Sequence, residues 1–212
     1  MKIKAVIFDL DGTLYDNRRL PFYIFLHSRH DRTVLLAERC ARRHLAGRSF
    51  DSAQDALQEL FDIAAASSKR TRSQVEEWYF DRYMPLQERM LRKHFRAKTW
   101  VADTLADLRS QGMLLCCYSD YGYIAEKLEA IGIDPSSFDL LADAPSEGGF
   151  KPCVKAALTI AEKLGVEPES CLMVGDRKDT DRAGAKAAGM KFLYVPKKDT
   201  GRLDLTEYES FE

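Results

Sequence analysis

Three carboxylates, one hydroxyl and one ammonium stand where short apolar runs of this chain stop or just beyond them. Ala5-Val6-Ile7-Phe8 stops at Asp9, with Asp11 two residues on. The run from Met113 to Tyr118 stops at Ser119, Ser170 to Val174 stops at Gly175-Asp176, and Lys151 lies in the loop after Phe138 to Ala142. Carboxylates are ligands for a hard cation such as Mg²⁺, which in turn gathers phosphate oxygens. A carboxylate held against such a phosphate can attack phosphorus. A lysine and a hydroxyl can stabilise the charge on the equatorial oxygens as a phosphoryl group moves.

The elements that must position these groups follow from the same runs. They are short and continuous, as is Lys191 to Val195, which suits strands buried on both faces of a parallel sheet. Between them, Val101 to Gly112, Ile124 to Gly132, Val154 to Gly165 and Asp181 to Gly189 read as helices that stop at glycine. Strand–helix alternation of this kind predicts an α/β fold, a Rossmann-like parallel sheet flanked by helices. In such open sheets the site lies beyond the carboxyl ends of the strands. Asp9 and Asp11, two apart in extended chain, face the same side.

Residues 16–98 have a different texture, helical throughout. Pro21 suits the first turn of a helix reaching about His30, and Asp31 is placed to cap a second carrying Val34, Ala37, Ala41 and Leu45. Ala53, Ala56, Leu57, Leu60, Phe61 and Ala64 give a third its apolar face. Ser73 with Glu76 forms a capping-box pattern before Val75, Trp78 and Tyr79, and Pro85 predicts a kink or an end to that helix. The aromatic run Phe22-Tyr23-Phe25 reads as core of this insert. The division is then a core of residues 1–15 and 99–212 and a helical insert of 16–98. The polar stretch after Pro196 predicts a weakly held tail.

Composition narrows the classes. The 212 residues are 31% charged with a net charge of -1, which gives no reason to expect nucleic acid as a partner. The insert is basic, with 17 Lys and Arg against 11 Asp and Glu, and it holds all four histidines: His27, His30, His44 and His94. Those histidines lack metal-site spacing. After Lys4 only four apolar residues precede Asp9, too few for a secretory signal, and no 18-residue apolar run occurs, so no membrane partner and a cytoplasmic location are expected. The five cysteines include adjacent Cys116 and Cys117, which a strand points to opposite faces, and free thiols are the expectation.

The order and local sequence of the chemical groups resemble the haloacid dehalogenase-like superfamily. Asp9-Leu10-Asp11-Gly12-Thr13-Leu14 is similar to its first motif, Ser119 to the second, Lys151-Pro152 to the third, and Val174-Gly175-Asp176-Arg177-Lys178-Asp179-Thr180-Asp181 to the fourth. The resemblance covers the whole core and implies that the insert is a cap closing over the leaving group. It implies Asp9 as nucleophile and metal ligand. Asp11 would serve as general acid and base while lending a backbone carbonyl to the metal. Thr13, Ser119 and Lys151 would hold the phosphoryl group. Asp176 would complete a Mg²⁺ site, supported by Asp181 or else Asp179. Asp120 departs from the pattern, where many relatives carry an asparagine able to donate a hydrogen bond. The implied activity is hydrolysis of a small phosphorylated metabolite through an aspartyl-phosphate, by a monomer or homodimer. A phosphosugar mutase and a noncatalytic module keeping the fold are the alternatives. Asp11 argues against a dehalogenase, and nothing specific favours phosphonate hydrolysis. Arg18, Arg19, Arg43, Arg48 and Lys69 are the basic candidates for a second anionic group of the substrate.

Overall fold

A computed structural model describes residues 2–211. Five parallel strands, β1 (Ala5–Asp9), β2 (Leu114–Ser119), β3 (Leu140–Asp143), β4 (Cys171–Gly175) and β5 (Lys191–Tyr194), form one sheet in the order β3-β2-β1-β4-β5. Because every strand runs the same way, all carboxyl ends lie along one edge. The chain builds outward from β1 to β2 and β3, then crosses to β4 on the other side of β1. That reversal opens a crevice beside the end of β1. Register fixes which residues meet there: Asp9 pairs with Tyr118, and Phe8 with Val174, so Asp9 and Asp176 leave the sheet side by side.

Strand alternation sorts the apolar residues into two layers. Val6, Phe8, Leu115 and Cys117 face helices α6 (Val101–Ser110) and α7 (Ile124–Ile131). Ala5, Ile7, Cys116 and Met173 face α8 (Val154–Lys163) and α9 (Ala183–Ala187). Cys116 and Cys117 thus point to opposite faces. Cys40 is exposed and the other four cysteines are buried, and all five are free thiols. Each buried Leu, Ile or Phe contributes about 1.5–3 kcal/mol by leaving water, so the layers fix the strand register firmly.

Residues between β1 and α6 form helices: α1 (Leu20–His27), α2 (Arg32–His44), α3 (Ala53–Ser68), α4 (Arg72–Glu77) and α5 (Met84–His94). Several details differ from the sequence reading. The capping box of α4 is made by Thr71 and Gln74, not by Ser73 and Glu76, which lie two residues further into the same repeating pattern. Asp31 does not cap α2 with its side chain; it binds Arg70 and Arg82 instead. Trp78–Tyr83 is a π-helical turn that carries the chain without a break into α5, with Pro85 in its first turn, so the proline falls where the helical hydrogen-bond pattern already changes. Phe22 and Phe25 are 64% and 42% exposed, not core, because α1 is apolar all round and buries only Leu20 and Ile24 fully. The tail docks: Glu209 and Phe192 exchange backbone hydrogen bonds, and Leu203, Leu205 and Tyr208 pack on the core. Among the described residues no helix is long and apolar enough to cross a membrane.

The insert touches the core at more than its two chain crossings. Phe50 N–H donates to Gly148 O and Gly47 N–H to Phe150 O. Gly149 permits this approach, since a Cβ there would lie 2.2 Å from Arg48 O. The clip holds the insert against the loop that carries Lys151.

Candidate active site

Asp9, Asp176 and Asp181 converge beyond β1 and β4. Each is buried, and each offers a carboxylate oxygen within 4.8 Å of the others. Lys151 Nζ donates to Asp9 Oδ1 at 2.8 Å, to Asp181 Oδ1 at 3.0 Å and to Tyr118 O at 3.0 Å. Thr13 Oγ1 donates to Asp9 Oδ2 at 2.8 Å. Both Asp176 oxygens are buried without a hydrogen-bond donor; Lys197 Nζ approaches one to 3.3 Å from the half-exposed rim, outside hydrogen-bonding geometry. Gly12, at φ 115°, makes room for that carboxylate, because a Cβ there would meet Asp176 Oδ2 at 2.7 Å.

Three buried carboxylates share one ammonium in hydrogen-bond contact, Lys151, with Lys197 at the rim of Asp176, so negative charge is in excess at this point. The pKa shifts express this. Burial, with Asp9 alongside, raises Asp176 above the ordinary carboxylate range. Burial raises Asp181 to about 7, with Asp9 and Asp176 adding to it and Lys151 opposing. Lys151 is pushed well up: burial works against its charge, but Asp181 and Asp9 outweigh it, so it stays an ammonium. An all-oxygen donor set with an excess of negative charge and buried oxygens lacking donors fits a hard divalent cation.

Asp11 faces elsewhere. Its carboxylate accepts from Tyr15 Oη at 2.5 Å, Ser119 Oγ at 3.0 Å and Lys127 Nζ at 3.3 Å, and its backbone oxygen accepts from Asn17 Nδ2 at 2.6 Å. Burial works to raise its pKa, yet Lys127 and these donors bring it below the ordinary value. Burial, then the Asp11 charge, pushes Tyr15 well up, so the phenol keeps its proton. Ser119 Oγ also accepts from Tyr121 N–H, which pins the turn after β2. Asp120 accepts from Lys151 N–H at 2.9 Å, and burial raises its pKa. This contact ties the turn after β2 to the loop of Lys151; an asparagine oxygen could accept the same N–H, so what Asp120 changes is the added charge and the lost amide donor.

The geometry thus gathers Asp9, Thr13, Lys151 and Asp176 at one point, with Asp11 and Ser119 tied to each other beside it. It also separates Asp181 from Asp179. The π-helical turn Lys178–Arg182 turns Asp181 inward, where its Oδ2 accepts from Arg177 N–H, while Asp179 stays outside on the Arg177 side chain. Among the basic candidates for substrate contact, Arg43 lines the cavity between the insert and the core. Arg18 is held by Asp16 and Arg48 by Glu59, and Lys69 lines a different hollow.

Tyr15 and Lys127 were not singled out by the sequence reading. Lys127 had left a signal: Ile124, Lys127, Leu128 and Ile131 share one helical stripe, so a lysine occupies an apolar position. Tyr15 carries no comparable mark. Lys98 is also buried, with Nζ donating to Gly12 O and Pro196 O, and burial lowers its pKa to about 8.

Residues 3–189 match the family described as haloacid dehalogenase-like hydrolase. The chain belongs to this hydrolase family. Rat N-acylneuraminate-9-phosphatase is 28% identical over 211 residues, covering 90% of this chain and 81% of that protein. The Aquifex aeolicus phosphoglycolate phosphatase is 26% identical over 89% of this chain and 83% of its own length. The β-phosphoglucomutase of Clostridium difficile superposes with a TM-score of 0.66 over 96% of this chain and 94% of its own; at 19% identity that likeness speaks for the fold alone.

Proposed function

We propose that this hydrolase is a Mg²⁺-dependent phosphatase that cleaves small phosphate monoesters through a phosphorylated Asp9. The observation that carries the proposal is the buried trio Asp9, Asp176 and Asp181 with its excess of negative charge, set against Lys151. The phosphatase names of relatives matched along most of the chain support the reaction class. Asp9, Asp176 and a backbone oxygen such as that of Asp11 are the candidate holders of Mg²⁺, with Asp181 steadying them. The cation would supply charge stabilisation at the phosphate oxygens.

The chain's own residues account for the remaining chemistry. Asp9 is oriented as the nucleophile by Thr13, which donates to one carboxylate oxygen, and by Lys151, which donates to the other. Lys151, locked as an ammonium, offers its charge where the phosphoryl oxygens would develop theirs. Asp11, ionised in this setting, is in the form needed to take a proton from the water that hydrolyses the Asp9 acyl-phosphate. An incoming phosphate dianion favours a proton on a nearby carboxyl, and that proton is what the departing alcohol needs. Closure of the helical insert over the crevice would exclude bulk water during the reaction.

The direct test is release of inorganic phosphate from p-nitrophenyl phosphate with Mg²⁺ and with EDTA, using Asp9→Asn as control. Metal-dependent release that vanishes in the variant is expected. Full release in EDTA, or in Asp9→Asn, sinks the reading. Transfer of the group to a second hydroxyl of a phosphosugar, without free phosphate, would make it a mutase.

A further inference from the structure

The space above Asp11 is a cavity of about 530 Å³, bounded by the core on one side and by α1, α2 and α5 on the other. Its size is that of sites that house a whole small metabolite. Leu36, Arg39 and Arg43 follow one another at helical spacing on α2, so a single face of that helix forms the far wall. Leu20, Pro21 and Ile24 of α1 form an apolar flank.

What sets Arg39 and Arg43 apart from the other arginines of the insert is that they combine a place on the cavity wall with the lack of a carboxylate partner. Arg42 is buried and fully engaged: it binds Glu38 at 2.8 Å, donates to Asp120 O at 2.7 Å and lies over the Tyr121 ring at 4.0 Å. Arg18, Arg48, Arg70, Arg72, Arg82 and Arg92 each pair with a carboxylate. Among the described residues, Arg39 and Arg43 have no carboxylate in ion-pair range, and both face the cavity. Arg39 is half-buried, which makes an unshared charge there more costly than on open surface. Two unpaired guanidinium groups one turn apart make a fork for a carboxylate or a phosphate.

Resting on the phosphatase reading, we propose that the substrates are phosphate monoesters whose leaving alcohol carries a second anionic group, gripped by Arg39 and Arg43. The scissile phosphate sits at Asp9 and Lys151, the carbon skeleton lies along the α1 flank, and the second anion reaches the α2 wall. A carboxylate and a second phosphate share this chemistry.

Binding to the Asp9→Asn protein in Mg²⁺, followed by titration calorimetry, reads the proposal without turnover. 6-Phosphogluconate is compared with glucitol 6-phosphate, and 3-phosphoglycerate with glycerol 3-phosphate; fructose 1,6-bisphosphate places a phosphate in the distal position. At one length or the other, the doubly anionic ligand binds about tenfold or more tighter, the worth of a charge-assisted contact. The tighter of the carboxylate and bisphosphate arms names the source. Arg39→Gln with Arg43→Gln collapses that ratio to near unity, the Arg→Lys pair restores part of it, and Arg92→Gln leaves it in place. Equal affinities at both lengths, or a ratio that survives the double substitution in a folded protein, overturn the proposal. Absence of phosphate release from p-nitrophenyl phosphate by the wild-type enzyme would instead strike the phosphatase reading and leave this binding ratio legible.

Discussion

The carboxylate of Asp11 accepts hydrogen bonds from Tyr15, Ser119 and Lys127, whereas both oxygens of Asp176 are buried with no donor in place. The pKa of the first lies below the ordinary carboxylate value and that of the second above it. They are the same residue type in different surroundings. One is satisfied by the protein alone, so its charge is stable and its proton affinity is set by neighbours. The other has only the charge of Lys197 at 3.3 Å on its outer side and no hydrogen-bond donor in place, which leaves it open to a ligand that arrives. Proton handling and cation binding are thus separated by the supply of donors.

The largest effect that would test this division is Asp11→Asn. Loss of a general acid and base costs about 10²–10⁴-fold in turnover. If the division holds, Mg²⁺ affinity by titration calorimetry changes little, because the Asp11 carboxylate is turned to Tyr15, Ser119 and Lys127. A collapse of metal binding in this variant would mean that the two carboxylates are not separate devices.

Asp176→Asn should do the reverse. Metal affinity falls by on the order of 100-fold or more, since even supporting residues cost 10–100-fold. In EDTA, however, the variant should be more stable than the wild type, by about 1–3 kcal/mol, because an unsatisfied buried charge has gone. Urea unfolding in EDTA checks it, and a destabilised variant would show that Lys197 already satisfies Asp176.

How much of this contrast could be read before any coordinates follows from where each partner sits in the chain. Asp9 and Asp176 end apolar runs, so the parallel sheet places them together by register, and that was legible. Asp181 and Asp179 share one polar run; a π-helical turn, invisible to a pattern with a 3.6-residue period, chooses between them. Thr71 and Ser73 compete in the same way for the start of α4, because both are followed three residues later by an amide or carboxylate side chain. The donors to Asp11 come from three elements, and only packing brings Lys127 of α7 against it. The Lys127 stripe was readable as an anomaly, but not as a partner of Asp11.

Lys127→Met gives a smaller effect aimed at Asp11 alone. Methionine fills the space without the charge, so the Asp11 pKa rises toward that of a buried carboxyl. The acid limb of the rate profile moves to higher pH and turnover at neutral pH drops by about tenfold. Asp176 is untouched, so the stability gained on adding Mg²⁺ stays as in the wild type. A pH–rate profile identical to the wild type would place the control of Asp11 with Tyr15 and Ser119.

The smallest effect is one of pH on the metal-free fold. Asp181 titrates near 7 in the folded chain, against 3.8 for an unstrained aspartate, so between these values the native state binds the extra proton. Stability from this group is full below about pH 4 and is lost as pH rises through 7. In EDTA the melting temperature should therefore fall between pH 5 and 8, by about 5 °C more than in Asp181→Asn, since one kcal/mol is roughly 2–4 °C in a chain of this length. Millimolar Mg²⁺ should cancel the fall, because the cation favours the same deprotonated cluster that the protein alone cannot tolerate. Parallel slopes for the two proteins in EDTA would mean that Lys151 suffices to hold Asp181 ionised, and that the excess negative charge rests on Asp176 alone.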